Sequence, residues 1–285
     1  MTVANGLKSE KGGAAASTLR RCAANAVAAL ATLARPARVH PRQAWPLSRQ
    51  QLAIAAAVMI AVFLIGMTFI DPPTTNAARN LPHWVRSAFE EITDFGKSGW
   101  FLWPLGILFL AMAALPRNLL PRAAQLVLAA MMVRVGFLFV AIGAPSLFVT
   151  IVKRVIGRAR PFVTGIADPF VFSPFKWSAA YAGLPSGHAT TAFAVLAAFG
   201  CLWPRARTVL LIYALLIVAS RIIVVAHYPT DVLAGALVGA AGVVMVRRYF
   251  ALRRLGFSVG PDGALHQFPG PSLRRIKSVA RELLS

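Results

Sequence analysis

The chain has 285 residues, 58% of them hydrophobic and 14% charged, whereas a water-soluble domain carries about 25% charged residues; an ordinary soluble globular fold is excluded before any motif is read. The formal net charge is +21, from 30 Lys and Arg against 9 Asp and Glu. The basic residues flank apolar runs and crowd the termini, with no DNA- or RNA-binding motif, so nucleic acid is excluded as a partner and the charge reads as membrane topology.

Residues 1–50 are polar and basic, with Arg20, Arg21, Arg35, Arg38, Arg42 and Arg49 among them. The Ala-rich stretch from Cys22 to Ala34 is too weakly apolar for a signal peptide and has too long a leading region. It reads as a surface helix in a cytoplasmic tail. The first span is predicted from Leu52 to Ile70, closed by Asp71-Pro72-Pro73, at a length that fits the ~20 residues a bilayer core requires. Residues 81–95 repeat apolar positions at helical spacing (Leu81, Trp84, Val85, Phe89, Ile92, Phe95), which predicts a helix lying on the outer membrane surface.

The second span is predicted from Gly99 to Leu115 and the third from Ala123 to Val152. The third contains Arg134, a charge costly in lipid that calls for packing or an ion pair rather than chemistry. Spans four, five and six are predicted at His188–Trp203, Thr208–Val225 and Asp231–Val246. The segments are continuously apolar rather than alternating, which excludes a β-barrel. The predicted fold is therefore an all-α, polytopic bundle of six membrane helices over residues 51–248, between basic cytoplasmic tails at 1–50 and 249–285. The two cysteines, Cys22 and Cys201, are too few for a disulfide framework, are spaced for no zinc site and read as inert.

Lys and Arg excess marks the N-terminal tail, the 116–122 and 204–207 links and the C-terminal tail. Alternating spans put all four on one face, which is then cytoplasmic. The 71–98 connection, with Glu90, Glu91 and Asp94, falls opposite. The 153–187 connection belongs on that outer face too, yet it holds Lys153, Arg154, Arg158, Arg160 and Lys176 against Asp168 alone. Positive charge on the wrong side calls for an anionic ligand.

Three segments concentrate polar residues at this face: Lys153, six residues, then Arg160-Pro161; Pro185-Ser186-Gly187-His188; and Ser220-Arg221, five residues, His227, three residues, Asp231. Ser186-Gly187-His188 opens an apolar helix, whose free N–H groups and positive dipole end favour a phosphate. Gly187 admits close backbone approach. His227 and Asp231 stand four apart, a spacing at which a carboxylate can fix the imidazole tautomer and leave the other ring nitrogen free to attack. Lys153, Arg160 and Arg221 supply cations, and the arginine fork matches phosphoryl oxygens. Taken singly, each element has a bland explanation as cap, loop boundary or local ion pair. Their assembly on one face does not.

These segments resemble the signature of the type-2 phosphatidic acid phosphatase superfamily, the lipid phosphate phosphatases, and match it without a substitution over Lys153 to Asp231. The resemblance implies an integral-membrane lipid phosphatase with a phosphohistidine intermediate. His227 is then the nucleophile, Asp231 its orienting partner and His188 the general acid and then base. Lys153, Arg160, Ser186, Gly187 and Arg221 hold the phosphate. No metal and no cofactor is implied; one carboxylate among many cations also makes a poor magnesium site. The implied partners are a lipid phosphate (phosphatidic acid, phosphatidylglycerol phosphate, polyprenyl diphosphate or lipid A) and membrane lipids. The implied location is the inner membrane, both termini cytoplasmic and the site facing the periplasm. Rival readings are a lipid phosphotransferase, a non-enzymatic lipid-phosphate binder or transporter, and a vanadate-dependent haloperoxidase. Retention of His188, His227 and Asp231 argues against the second, and six membrane spans against the third. Lys97, Trp100, Lys176 and Trp177 are either substrate contacts or interface anchors.

Overall fold

A computed structural model describes residues 20–28, 31–39, 48–115 and 120–284. Its long helices are α1 (Arg49–Ile65), α2 (Asp71–Arg79), α3 (His83–Asp94), α4 (Gly99–Ala114), α5 (Arg122–Ile156), α6 (Gly187–Leu202), α7 (Arg207–Ile223), α8 (Pro229–Leu252) and α9 (Leu273–Leu284), with a two-stranded hairpin, β1 (Phe257–Val259) and β2 (Leu265–Gln267), before α9. Among the described residues, five stretches are long and apolar enough to cross a membrane: Arg49–Arg79, His83–Ala114, Arg122–Ile156, Pro204–Ile223 and Pro229–Leu252. The sixth expected span, α6, is apolar but has only 16 residues, short of the ~20 that a hydrocarbon core needs. Large apolar side chains lie exposed along these helices, Ile54, Ile107, Leu147, Ile212 and Val244 among them. The chain is a multi-pass membrane protein.

The first span differs from its expected end in an instructive way. Asp71-Pro72-Pro73 does not stop it. A π-helical turn over Gly66–Ile70 joins α1 to α2, and the prolines occupy the first turn of α2. The fixed φ of proline suits that first turn, and the π turn carries the backbone bonding up to it, with the Asp71 N–H donating to the Gly66 carbonyl. The helix expected over 81–95 is present as α3, and α8 runs past the expected end of the membrane region to Leu252.

The chain forms two compact units. One comprises residues 1–40, 103–139 and 248–285. Its core packs Phe137 against Phe250 and Phe257, at ring-centroid distances of 5.5 and 4.8 Å. Both tails contribute: Asn25 donates to the Ala113 carbonyl and Tyr249 to that of Leu33. Here Arg134 finds its role. Its guanidinium donates to the backbone carbonyls of Ala130 and Phe268, both at 2.9 Å, and so fixes the segment after the hairpin. Of the two expected roles, packing is realised; the partners are carbonyls rather than a carboxylate.

The second unit, residues 41–102 and 140–247, carries all three motifs. Helices α6 and α8 meet there backbone to backbone. A Cβ on Gly235 would stand 2.3 Å from the Ser186 carbonyl oxygen, and one on Gly239 2.3 Å from that of Thr190. This is the small-xxx-small solution to packing where lipid offers no hydrophobic drive. It draws the start of α6 onto the start of α8, and the second motif onto the third.

Candidate active site

The first motif begins in the last turn of α5 with Lys153. Gly157 then turns the chain at φ +66, where a Cβ would stand 2.0 Å from the Ser173 carbonyl oxygen; only glycine fits. Residues 158–160 run on as an extended segment, pinned by Ala159 N–H to Val171 O (2.9 Å), Arg160 N–H to Ala180 O (2.8 Å) and Gly183 N–H to Arg158 O (2.9 Å). The 162–183 connection thereby becomes the wall that holds this motif in place.

In the second motif Ser186 is the N-cap of α6, and its N–H donates to the Asp231 carbonyl at 2.9 Å. That bond ties the second motif directly to the third. The Ser186 hydroxyl is wholly buried and makes no hydrogen bond within the chain. A Cβ on Gly187 would meet nothing within 4 Å, so the backbone there borders open space. His188 has Arg221, His227, Lys97 and Arg160 as electrostatic neighbours. Its ring is covered by Gly96, where a Cβ would lie 2.8 Å from Cδ2.

In the third motif Arg221 lies in the last turn of α7 and donates to the Thr93 hydroxyl at 2.7 Å. The N–H groups of Ala226 and His227 both reach back to the Arg221 carbonyl, which folds His227 under the end of α7. His227 is 3% exposed. Its Nδ1 faces Asp231 Oδ2 at 3.6 Å, adjacent but beyond hydrogen-bond distance. The expected pairing is therefore present as a contact and not as a formed bond. Burial holds the His227 imidazole below its ordinary proton affinity, with the Asp231 carboxylate pulling the other way.

All eight residues singled out in the sequence thus lie in one unit. Arg160 has Asp231 and Arg154 as electrostatic neighbours, and Lys153 has Arg154 and Arg160. Among the described residues, none of Lys153, Arg160 and Arg221 has a carboxylate partner in a salt bridge. No group of three or more His, Cys, Asp or Glu side chains placed to hold a metal ion occurs among the described residues. A buried imidazole backed by a carboxylate and ringed by cations and a capping hydroxyl is equipped to transfer a phosphoryl group.

Three contributors escaped the sequence reading: Asp71, Thr93 and Thr230. Arg158, expected with its neighbours to meet an anionic ligand, is instead fully buried and bonded to the carboxylates of Asp71 and Asp231. The one available signal is that Asp71 is an acid at the end of an apolar run. Lys97 forms an exposed pair with Asp94 at 2.8 Å, beside His188. Lys176 lies 3.9 Å over the Tyr181 ring, and Trp177 within cation–π range of Arg154 at 5.9 Å.

The PAP2 superfamily model matches residues 134–255, a stretch that contains all three motifs. The lipid A 1-phosphatase of Rhizobium johnstonii is 34% identical over 207 residues, covering 72% of this chain and 84% of that one. That of Rhizobium etli is 33% identical over 207 residues, covering 72% and 88%. Among solved structures, LpxE of Aquifex aeolicus aligns with a TM-score of 0.46 at 20% identity, over 63% of this chain and 96% of its own. The protein is an integral-membrane phosphatase. The chain belongs to the PAP2 superfamily.

Proposed function

We infer that this phosphatase hydrolyses the phosphate ester of a lipid of the lipid A type, through a phosphohistidine on His227. The observation that carries the substrate class is the 34% identity to a lipid A 1-phosphatase over 84% of that enzyme's length. The mechanism is supported by a buried His227 whose Nδ1 faces Asp231, which leaves Nε2 as the attacking atom. That lone pair bonds to phosphorus as the P–O bond to the lipid breaks, and His188 delivers a proton to the departing oxygen. Water then attacks phosphorus while His188 takes its proton, the N–P bond breaks, and phosphate and neutral His227 result. Lys153, Arg160, Arg221, the Ser186 hydroxyl and the Gly187 N–H hold the three equatorial oxygens.

His188 and Asp231 open apolar helices. The site therefore sits at a membrane–water interface, where a substrate anchored by its acyl chains presents its phosphate. The distribution of Lys and Arg supports cytoplasmic termini and a site facing the periplasm. The catalytic region is residues 51–248, between the basic segments 1–50 and 249–285.

Purified protein in detergent with EDTA is expected to release phosphate from lipid A faster than from phosphatidic acid, phosphatidylglycerol phosphate or polyprenyl diphosphate. Loss of turnover under EDTA defeats the metal-free mechanism, and a preference for another lipid moves the substrate assignment. Recovery of the phosphate on an added acceptor lipid, rather than in solution, makes the enzyme a transferase.

The pH dependence has a definite sign. Attack requires neutral His227, and burial lowers its proton affinity. The acid limb of kcat/KM due to this residue is therefore expected below the ordinary imidazole value of about 6.5. An acid limb at or above that value removes His227 from the role of buried nucleophile.

A further inference from the structure

We propose that Asp71, on the first membrane helix, acts through Arg158 as a positioning residue for the Asp231–His227 pair, by occupying the charge of Arg158 so that Asp231 remains available to His227. The proposal rests on the reading of His227 as nucleophile.

The observation is a closed polar cluster with no exposed side-chain surface on its charged members. Arg158 donates from Nε to the Pro169 carbonyl at 2.9 Å, from Nη1 to Asp231 Oδ1 at 2.5 Å and Thr230 Oγ1 at 2.8 Å, and from Nη2 to Asp71 Oδ2 at 2.8 Å. Its guanidinium also lies 4.6 Å over the Tyr228 ring. Asp71 in turn accepts from the Thr230 N–H at 3.0 Å and from the Thr230 hydroxyl at 2.5 Å. Thr230 stands in the first turn of α8, so the first span supplies the anion that the helix N-terminus favours. Gly66, at the start of the π turn, makes the approach possible: a Cβ there would stand 2.7 Å from Thr230 Cγ2.

The charges explain why two carboxylates are needed. Asp231 Oδ1 is taken by Arg158, and Oδ2 accepts the Tyr228 N–H at 3.0 Å and faces His227. Were Arg158 paired with Asp231 alone, their charges would cancel. The imidazole that becomes cationic on attacking phosphorus would then face a neutralised carboxylate in a site already crowded with Arg160 and Arg221. With Asp71 present, two carboxylates against one guanidinium leave one net negative charge in the buried cluster. That charge matches the positive charge His227 acquires. The group is preorganised for a charge that develops during the reaction, where a low-dielectric surrounding makes electrostatics strongest.

The test compares wild type, His227→Ala, Asp71→Asn and Asp71→Asn/Arg158→Gln in detergent. Each is assayed for kcat and KM with the turned-over lipid phosphate, and for inhibition by orthovanadate, a phosphate analogue that reports an intact anion site. Asp71→Asn is expected to lower kcat on the order of 100-fold with KM and vanadate inhibition nearly unchanged. The double variant, with the net negative charge restored and an amide left to donate to Asp231, is expected to regain about tenfold of that loss. A part that is only structural gives the opposite order, because removing a second buried partner weakens the fold further. Wild-type kcat in Asp71→Asn, loss of vanadate inhibition in step with activity, or a double variant no faster than Asp71→Asn overturns the proposal. If Asp71→Asn does not accumulate as folded protein, Asp71→Asn/Arg158→Gln is compared with Asp71→Asn/Arg158→Lys, which keeps a cation and cancels the charge of Asp231. A faster Arg158→Gln double variant with intact vanadate inhibition then supports the proposal, and equal kcat values overturn it. Activity surviving in His227→Ala defeats the nucleophile assignment itself, whereas an inactive His227→Ala beside a fully active Asp71→Asn defeats only the role of Asp71.

Discussion

Replacing His227 with alanine is expected to reduce phosphate release by roughly 10⁴-fold or more, since no other group in the site can form the covalent intermediate. His188 sits in the first turn of α6 among Arg221, Arg160 and Lys97, and lacks the carboxylate contact that His227 has with Asp231. The effect is predicted to lie in kcat, because the cations and the α6 N-terminus to which phosphate binding is assigned under the proposed function are untouched. A rapid quench of wild type with radiolabelled lipid phosphate is expected to leave label on the protein in an alkali-stable, acid-labile bond, as a phosphoramidate requires, and no such label on His227→Ala. A label with the opposite stability, or an active alanine variant, would falsify the histidine intermediate.

The second large effect concerns stability. Arg158→Met removes the only cation bonded to two fully buried carboxylates, Asp71 and Asp231, among the described residues. Breaking a buried pair by deleting one partner costs about 3–5 kcal/mol, because the remaining charge stays desolvated. Folded protein in detergent is therefore expected to unfold at markedly lower temperature, with activity lost alongside. The exposed Lys97–Asp94 pair, with side chains 57% and 59% exposed, is the internal control. Its removal is expected to cost less than about 1 kcal/mol. Equal thermal transitions for the two variants would show that the buried cluster contributes no more than a surface pair.

What was legible in the sequence and what was not divides along locality. The three motifs are strings a few residues long, and α6 and α8 start where apolar composition begins, so Ser186, His188 and Asp231 were placed correctly. The approach of the motifs to one another was inferred from alternating spans, and the contacts that enforce it, Gly235 on Ser186 and Gly239 on Thr190, join residues about fifty positions apart. Asp71-Pro72-Pro73 read as a stop because proline usually ends a helix. The π turn at Gly66–Ile70 carries the chain through instead, and a shift from i+4 to i+5 bonding leaves no mark on hydrophobic periodicity. The four-residue spacing of His227 and Asp231 suggested a helical pair. His227 lies outside α8, in the turn before Pro229, which explains a separation of 3.6 Å rather than a hydrogen bond. Arg134 and its acceptor Phe268 are 134 positions apart, and strands of three residues are too short for alternation to reveal the hairpin.

The buried cluster also constrains how the protein comes into being. Asp71 precedes Arg158 by 87 positions, and Arg158 precedes Asp231 by 73. At ribosomal speeds of about 5–20 residues per second, the first acid waits roughly ten to thirty seconds for its last partner. Until Arg158 is made, 87 positions on, the unpaired carboxylate of Asp71 must stay in contact with water or the insertion machinery, since lipid does not tolerate it. Arrival of α8, with Thr230 and Asp231 at its start, completes the ionic contacts. A nascent chain that stalls before α8 leaves Arg158 with one of its two carboxylates. Biosynthetic maturation and catalytic competence are thereby made the same event.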